Sequence, residues 1–536
     1  MRTENVPVLV VGAGPVGLST GMFLAHWGAR PLVIDKRDAA SALAVVPRAN
    51  TSLRTLELFR AVGLQSEVEQ CGWEGGPPMR SVFKDSGLGR TLYRVGPPPR
   101  YSQLMDTCSP VAPRRHLTHD QVQRLALGGL RRRGGDARFG VRLVDLVQEA
   151  DRVRAQVVDA GTGEEWEIAA RYVVGADGAN SAVRARLGIT LPDREVIARL
   201  NTAFFRADLG PVVEEWGTHL CFVRNDAVYA ALISKNGRDQ WSSHLLAYPG
   251  KPEGLAELTE ATTVALLRAA IGDPAIPIEL HAANAWEAAV GTASSFREGR
   301  VFLAGDAAHV QSAAGGLGMN TGIQDGHNLA WKIAAVLRGQ FAPALLDTYE
   351  PERRAAAEAS LALSRKMHRG YQSLDGDPND LYEKVAVDYL RGMMFYGYPA
   401  PDSTGVDTTT EHHLLDDSVR PGHRFPHRWV NTAKTGRNSH EPDRVSTLDL
   451  IGSDWTLFAG SDIPRWRATA AALGTTMDMD LPVHELGTVD GAVLVRPDGF
   501  VAWCGTSHAA LRAALRASGC TGRADAPPVG ITVSCR

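Results

Sequence analysis

PVLVVGAGPVGLSTGMFLAHWGARPLVID, residues 7–35, reads as a strand, a tight turn, a helix and a second strand. Its opening run is continuously apolar, the pattern of a parallel strand buried on both faces. Gly12, Gly14 and Gly17 then spell G-x-G-x-x-G. The first glycine permits the turn, the second lets backbone approach a pyrophosphate, and the third lets helix pack on strand. The helix opening at Pro15 and Val16 aims its N-terminal amides and positive dipole end at the phosphates. Asp35 closes the second strand, 18 residues beyond Gly17, where a carboxylate accepts from the hydroxyls of an adenosine ribose. The segment predicts a Rossmann-like dinucleotide-binding unit and leaves NAD(P) and FAD both open.

Two further stretches share the strand–turn–helix form. YVVGADGANSAVR, residues 172–184, brings Asp177 and Gly178 to a strand end, with Ser181 and Arg184 at a helix start. Either a ligand-facing loop or a turn with a serine N-cap fits it. VFLAGDAAHVQSAAGGLGMN, residues 301–320, places Asp306 after a strand and sets it among a small-residue run and four glycines. Glycine is costly unless the backbone needs unusual dihedrals or close approach.

The bulk numbers set the class. At 536 residues the chain predicts two or three domains. Its 44% hydrophobic and 22% charged content is that of a soluble globular protein, and a net charge of −3 argues against nucleic acid as a partner. Only 8 of its 57 basic residues are lysine, a bias that carries little chemistry. Six scattered cysteines with no C-x-x-C pair predict inert thiols in a reducing compartment. The N-terminus lacks the parts of a signal peptide, and no apolar run nears the roughly 20 residues of a spanning helix, so the expectation is a cytoplasmic protein without a membrane partner.

In order, G-x-G-x-x-G, D-G-x-x-S-x-V-R and G-D-A-A-H resemble the single-component FAD-dependent aromatic hydroxylases, group A flavoprotein monooxygenases. The likeness is strongest to the polyketide-tailoring, aklavinone-hydroxylase type. PRANTSLRTLELFRAVGL (47–64), LLDTYEPERR (345–354) and LVRPDGFVAW (494–503) extend the resemblance through nearly the whole chain. It implies noncovalent FAD, NADPH or NADH as co-substrate, and O2. The nicotinamide reduces FAD, and O2 then gives a C4a-hydroperoxyflavin that hydroxylates an electron-rich ring.

The resemblance also implies site residues. Asp306 holds a ribityl hydroxyl, while Gly315, Gly316 and Gly318 lay backbone against the isoalloxazine. A helix from about Thr321, buried through Ile323, Ala330, Ile333, Ala334 and Leu337, aims its N-terminus at the flavin. To the same cofactor site belong Gly12, Gly14, Pro15, Val16, Gly17, Asp35, Lys36, Asp177, Met319 and Asn320. Arg48 and Arg54 correspond to arginines near the pyrophosphate and the nicotinamide route, with a solvated helix face as the other reading. Leu143 corresponds to a backbone contact to adenine. The chain departs from the pattern twice. His119 stands where the family has a flavin-contacting Gln, with Gln121 two residues later. Ser312, Ala313 and Ala314 replace a proline, which predicts a looser loop at the flavin edge.

No side chain stands out as a catalytic base; His309 is either that or loop packing, and the hard chemistry belongs to the cofactor. Residues 187–290 alternate like antiparallel strands and predict a largely apolar roof over a polycyclic aromatic substrate. Phe204, Phe222 and Tyr229 line that roof or pack its core. The expected architecture is α/β. An FAD-binding domain spans 1–75, 105–186 and 290–395, an inserted substrate sheet 76–104 and 187–289, and a linker with a thioredoxin-like domain 396–536. That tail lacks C-x-x-C, which excludes dithiol chemistry and leaves a structural or interface role. Baeyer–Villiger or ring-rearranging oxidation, and a non-catalytic flavin-binding partner, are the alternative functions. A monomer or a homodimer is open.

Overall fold

The computed structural model describes residues 2–44, 51–74, 80–111, 115–247, 258–372, 378–399, 418–431 and 444–519. The opening segment forms the strand Thr3–Val11, the helix Pro15–His26 and the strand Leu32–Asp35. Val8, Leu9 and Val10 are wholly buried, because the first strand has parallel neighbours on both sides, Leu32–Asp35 and Glu165–Gly175. Val301–Leu303 adds in parallel to Glu165–Gly175, and Asp136–Phe139 adds in parallel to Leu32–Asp35.

Register then aligns the three motifs. Val11 pairs with Gly175, and Gly175 pairs with Leu303. The turns after these residues therefore emerge side by side from the carboxyl ends of adjacent parallel strands, where open α/β sheets bind ligands. The helix Pro15–His26 packs against both Gly318–Leu337 and His119–Arg132.

A second eight-stranded sheet forms a roof. Its order is His309–Val310, Glu279–Thr292, Glu195–Arg206, Gln240–Ala247, Tyr229–Ser234, Leu220–Arg224, Ser81–Lys84 and Thr91–Val95. Pairing is antiparallel as expected, except that Leu220–Arg224 and Ser81–Lys84 run parallel. One face, with Phe205, Cys221, Leu232, Trp241 and Leu245, packs with Leu267 and Ile271 of the helix Glu260–Ile271. Strand alternation turns the other face toward the first domain. The roof is fastened there directly, because Val310 and His309, just past Asp306, pair with Gly291 and Thr292.

The tail holds a four-stranded sheet in the order Val483–Glu485, Thr456–Ala459, Ala492–Val495, Val501–Gly505. Its first pair is parallel and the rest antiparallel. With the helices Ile463–Met477 and His508–Ala517 it makes the thioredoxin-like arrangement. Among the described residues no helix is long and apolar enough to cross a membrane, and Cys71, Cys221 and Cys504 are free thiols.

Buried charges join the tail to the first domain. Glu352 accepts from Lys332 Nζ at 2.7 Å and from Arg496 at 2.6 and 3.0 Å, while Asp498 accepts from Trp331 Nε1 at 3.1 Å. Arg54 donates to the Asp498 carbonyl at 2.9 Å and to Glu57 at 3.0 Å. Arg54 is therefore not a solvated face: it is 4% exposed and donates into this junction. Burial pushes the Glu352 carboxyl up, but Arg496 and Lys332 outweigh it and hold the pKa down at about 2, from an ordinary 4.5.

A depressed carboxylate contributes stability that is complete above its unfolded pKa and lost on approach to the folded one. Thermal melts should therefore show this contribution intact above pH 4.5 and disappearing as pH falls toward 2. Glu352→Gln should lower the melting temperature at neutral pH and flatten the acid limb. A variant with the wild-type acid limb would show that the junction does not govern it.

Candidate active site

The glycine turn is shaped by contact and by opening. Gly12 has φ +106°, and a Cβ there would lie 2.4 Å from the Ala176 carbonyl oxygen. A Cβ on Gly17 would lie 1.8 Å from the Gly12 carbonyl oxygen. A Cβ on Gly14 would meet nothing within 4 Å, since it opens into the cavity that Gly14, Pro15 and Val16 line.

Asp35 holds the turn from below. Its carboxylate accepts from Ala13 N–H at 2.8 Å, and from the Arg37 amide and guanidinium at 2.8–2.9 Å. Burial raises the Asp35 pKa, but the Arg37 and Ala13 bonds outweigh it and keep it below the usual range. Four protein donors occupy this carboxylate, so a ribose hydroxyl reaches it only in place of Arg37. Lys36 is exposed beside it.

From above, Gln123 Nε2 donates to the Ala13 and Ala42 carbonyls at 2.9 Å each. Sequence reasoning missed Gln123, although the resemblance pointed to a glutamine in this helix. Gln121 is spent elsewhere, closing a capping box with Thr118 and donating to the Cys71 carbonyl at 2.7 Å. His119, the first residue of that helix, lines the cavity as expected.

The loop after Val301–Leu303 is organised around Asp325, which the sequence did not single out. Its carboxylate is fully buried and accepts from Gly305 N–H at 3.0 Å and Arg353 Nε at 2.7 Å, and pairs with His309 Nε2 at 2.7 Å. Burial alone would raise its pKa; His309 and Arg353 outweigh burial and hold it below the usual range. His309 is wholly buried and outside the cavity lining, so it packs and pins the loop. Asp306, by contrast, is exposed among buried neighbours and faces the cavity.

Gly315 and Gly316 adopt φ +81° and +64°, and a Cβ on Gly315 would stand 2.8 Å from Met367 Sδ. They feed a helix that starts at Gly318, earlier than the expected Thr321, with no side chain capping its N-terminus. Gly318 and Met319 line the cavity. Asn320 is buried below them, accepting from Ser52 N–H and Thr55 Oγ1 and donating to the Gly316 carbonyl, at 2.7–2.8 Å. Where a proline was expected, Ser312 tethers the loop instead: Ser364 Oγ donates to its carbonyl at 3.2 Å, and the Ala314 amide donates to its hydroxyl at 3.0 Å.

Above this floor the cavity measures about 820 Å³. Leu200, Leu220, Phe222, Ala231, Ile233 and Leu246 give it an apolar roof, but His219, Lys235, Ser242, His244 and Trp286 share that face. The roof is thus more polar than the alternation predicted. Burial, with His116 and Lys235 nearby, pushes His219 well below the ordinary histidine range, so it is neutral.

The remaining expected residues lie outside this cavity lining. Asp177 accepts from the Ala182 and Val183 amides at 2.7 and 3.1 Å and so caps a short helix, while its neighbours Ala176 and Gly178 line the wall. Leu143 is buried in the core, beside a register shift between it and Asp145. Phe204 is buried, and Tyr229 packs with Phe83 and Phe222. Arg48 lies outside the described residues.

These features fit FAD. The turn at Gly14 is open to the cavity, Asp306 faces it, and Gln311 Nε2 is buried without a partner near Gly318, whose Cβ would stand 3.5 Å from it. Among the described residues no group of three His, Cys, Asp or Glu side chains could hold a metal.

Comparison with known proteins agrees. Residues 5–364 match a family described as FAD binding domain, and residues 418–519 match aromatic-ring hydroxylase, C-terminal. The chain is 34% identical to tetracenomycin A2 monooxygenase-dioxygenase of Streptomyces glaucescens, covering 94% of each chain. It is 34% identical to aklavinone 12-hydroxylase RdmE of Streptomyces purpurascens, covering 97% of this chain and 98% of that one. The structure of aklavinone-11 hydroxylase in a ternary complex with FAD and aklavinone superposes with a TM-score of 0.82 at 31% identity, covering 97% and 100%.

Two glycines of one turn should therefore separate under substitution. Gly14→Val should leave apoprotein stability within about 0.5 kcal/mol of wild type and abolish FAD binding in a fluorescence titration. Gly17→Ala should destabilise the fold itself. Asp306→Ala should weaken FAD by about 1–3 kcal/mol, and unchanged affinity would make Asp306 a loop residue only.

Proposed function

The chain belongs to the family of FAD-binding aromatic-ring hydroxylases, and from that premise we propose that it hydroxylates a polycyclic aromatic polyketide with NAD(P)H and O2. One observation carries the reading: a single cavity of about 820 Å³ has the glycine turns as its floor and a half-apolar sheet face as its roof. The volume lies in the range of small-molecule sites.

In this reading the Gly12–Gly17 turn and the amides of Pro15–His26 hold the pyrophosphate. Asp35 and Lys36 serve the adenosine side, Arg48 the pyrophosphate, and the Leu143 backbone meets adenine. Asp306 takes a ribityl hydroxyl, and Gly315, Gly316 and Gly318 bring backbone against the ring. His119, Met319 and the loop bearing Asp177 complete the cofactor wall, with Asn320 bracing it from beneath. Bound FAD supplies hydride acceptance and O2 activation.

The chain's own residues do the rest. The uncapped N-terminus of Gly318–Leu337 presents amides and a positive dipole end, which stabilise negative charge without reorganising. The apolar roof excludes water from the reacting edge, and the floor and roof fix the substrate plane between them. Phe222 is the aromatic we assign to the substrate wall. Residues of one chain build the lining, so the proposal needs no second copy. The free thiols of Cys71, Cys221 and Cys504 and a nicotinamide co-substrate suit the cytoplasm.

The test is product analysis. FAD-loaded protein, NADPH and a panel of polycyclic phenols should give a product one oxygen heavier, with product formed per NADPH consumed close to one for the preferred substrate. NADPH oxidation that yields only hydrogen peroxide across the panel would contradict the reading.

A further inference from the structure

A histidine outside both floor and roof lines the cavity with no partner from the protein. His368 lies in the helix Tyr349–Gln372 and belongs to the cavity wall, yet it is only 5% exposed. Its Nε2 is enclosed without a hydrogen-bond partner, and among the described residues no hydrogen bond engages the ring. Ser364, Met367 and His368 are spaced so as to share one face of their helix. Ser364 Oγ donates to the Ser312 carbonyl at 3.2 Å, and a Cβ on Gly315 would stand 2.8 Å from Met367 Sδ. The face that carries His368 is therefore the one packed on the loop Ser312–Gly316. That loop is an excursion whose ends meet, since a Cβ on Gly318 would lie 3.9 Å from Asp306 Oδ1. His368 stands beside the excursion, not at the meeting point of Asp306 and Gly318.

Leaving a buried polar group unpaired is costly, and native structures keep few of them, so each asks for a reason. Burial pushes the His368 pKa below the ordinary histidine value. At neutral pH the ring is therefore uncharged, with one N–H and one lone pair. No protein group selects its tautomer. A group that meets this ring has to suit a donor or an acceptor. A carbonyl only accepts, whereas a hydroxyl does both. The partner that the protein leaves out is a hydroxyl of the molecule in the cavity.

We propose that His368 binds a ring hydroxyl of the polycyclic aromatic beside the loop Ser312–Gly316, and so selects which ring carbon faces the flavin edge. The inference rests on the hydroxylase reading above and deepens it, since it names a group that the substrate must carry. FAD has hydroxyls too, on its ribityl chain, but that chain belongs to Asp306 at the ends of the loop, whereas His368 stands beside its middle. A flat substrate slides freely under an apolar roof; one hydrogen bond at its edge stops the sliding. Discrimination against an analogue without the hydroxyl is then strong, because His368 is again left unpaired.

The experiment titrates FAD-loaded protein with anthraquinone and with the two monohydroxyanthraquinones, reading the change in flavin absorbance. Wild type should bind one of the hydroxylated pair at least tenfold more tightly than anthraquinone. In His368→Phe that preference should vanish, with FAD affinity unchanged. His368→Gln, which keeps a donor and an acceptor, should recover most of it. A wild type without the preference overturns the inference before any variant is made. His368→Phe that keeps the preference, even with all three ligands weakened alike, also overturns it, since that marks packing alone. Lost FAD affinity in His368→Phe would give the ring to the ribityl chain and overturn it as well. Should His368→Phe fail to fold, His368→Leu is read in its place. A wild type that binds none of the three would instead remove the polycyclic aromatic reading, and this inference with it.

Discussion

A buried carboxylate, Asp325, is the point on which the site depends. Its two oxygens gather the Gly305 amide and His309 from the loop that bears Asp306, and Arg353 from the helix Tyr349–Gln372. Removing a carboxylate from water is tolerable only when its lone pairs are filled and its charge is balanced. Filling them fixes where the loop runs, and Asp306, next to the anchored Gly305, is thereby held facing the cavity. His309 then leads into the two-residue strand that pairs with the roof. One ionic knot thus sets the spacing between cofactor floor and substrate roof.

The same knot reaches the tail. Arg353 and Asn328 both donate to the Tyr398 hydroxyl, at 3.4 and 3.2 Å, and Asn328 also bonds Glu352 at 2.7 Å. Asp498, Arg496 and Phe500 of the Pro-Asp-Gly turn close over this cluster, with Phe500 stacked on Tyr398 at 4.1 Å. The tail therefore has a physical role that needs no dithiol: its turn seals buried charges under the flavin-side helices, and Arg54 and Arg424 clamp it from the other side through Glu57.

The first domain was the most legible part, because its signals are local. The spacing of Gly12, Gly14 and Gly17 encodes contacts within one turn, and each contact stands where the spacing puts it. The roof strands were legible by alternation, which gives faces but not side-chain partners across strands; Thr202, His244 and Trp286 are separated in sequence, and their hydrogen bonds form only through register. Asp325 and Gln123 sit inside helices with ordinary helical patterning, and their importance comes from what folds against them. Residue-type analogy placed Asp306 and His119 at the cavity but also suggested cofactor work for Asn320 and Asp177, whose side chains the structure engages in bracing and capping. Short polar side chains near a ligand often serve the backbone that meets it, and sequence does not separate those two jobs.

The most direct test of the account is a crystal structure of the protein with FAD and a hydroxylated anthraquinone bound together. The account predicts the pyrophosphate at the Gly12–Gly17 turn, a ribityl hydroxyl on Asp306, and the isoalloxazine against Gly315–Gly318. The anthraquinone should lie above it under Phe222 in the same cavity. A flavin bound with its ring away from the Gly315–Gly318 backbone, or an aromatic seated outside the roof, would contradict it.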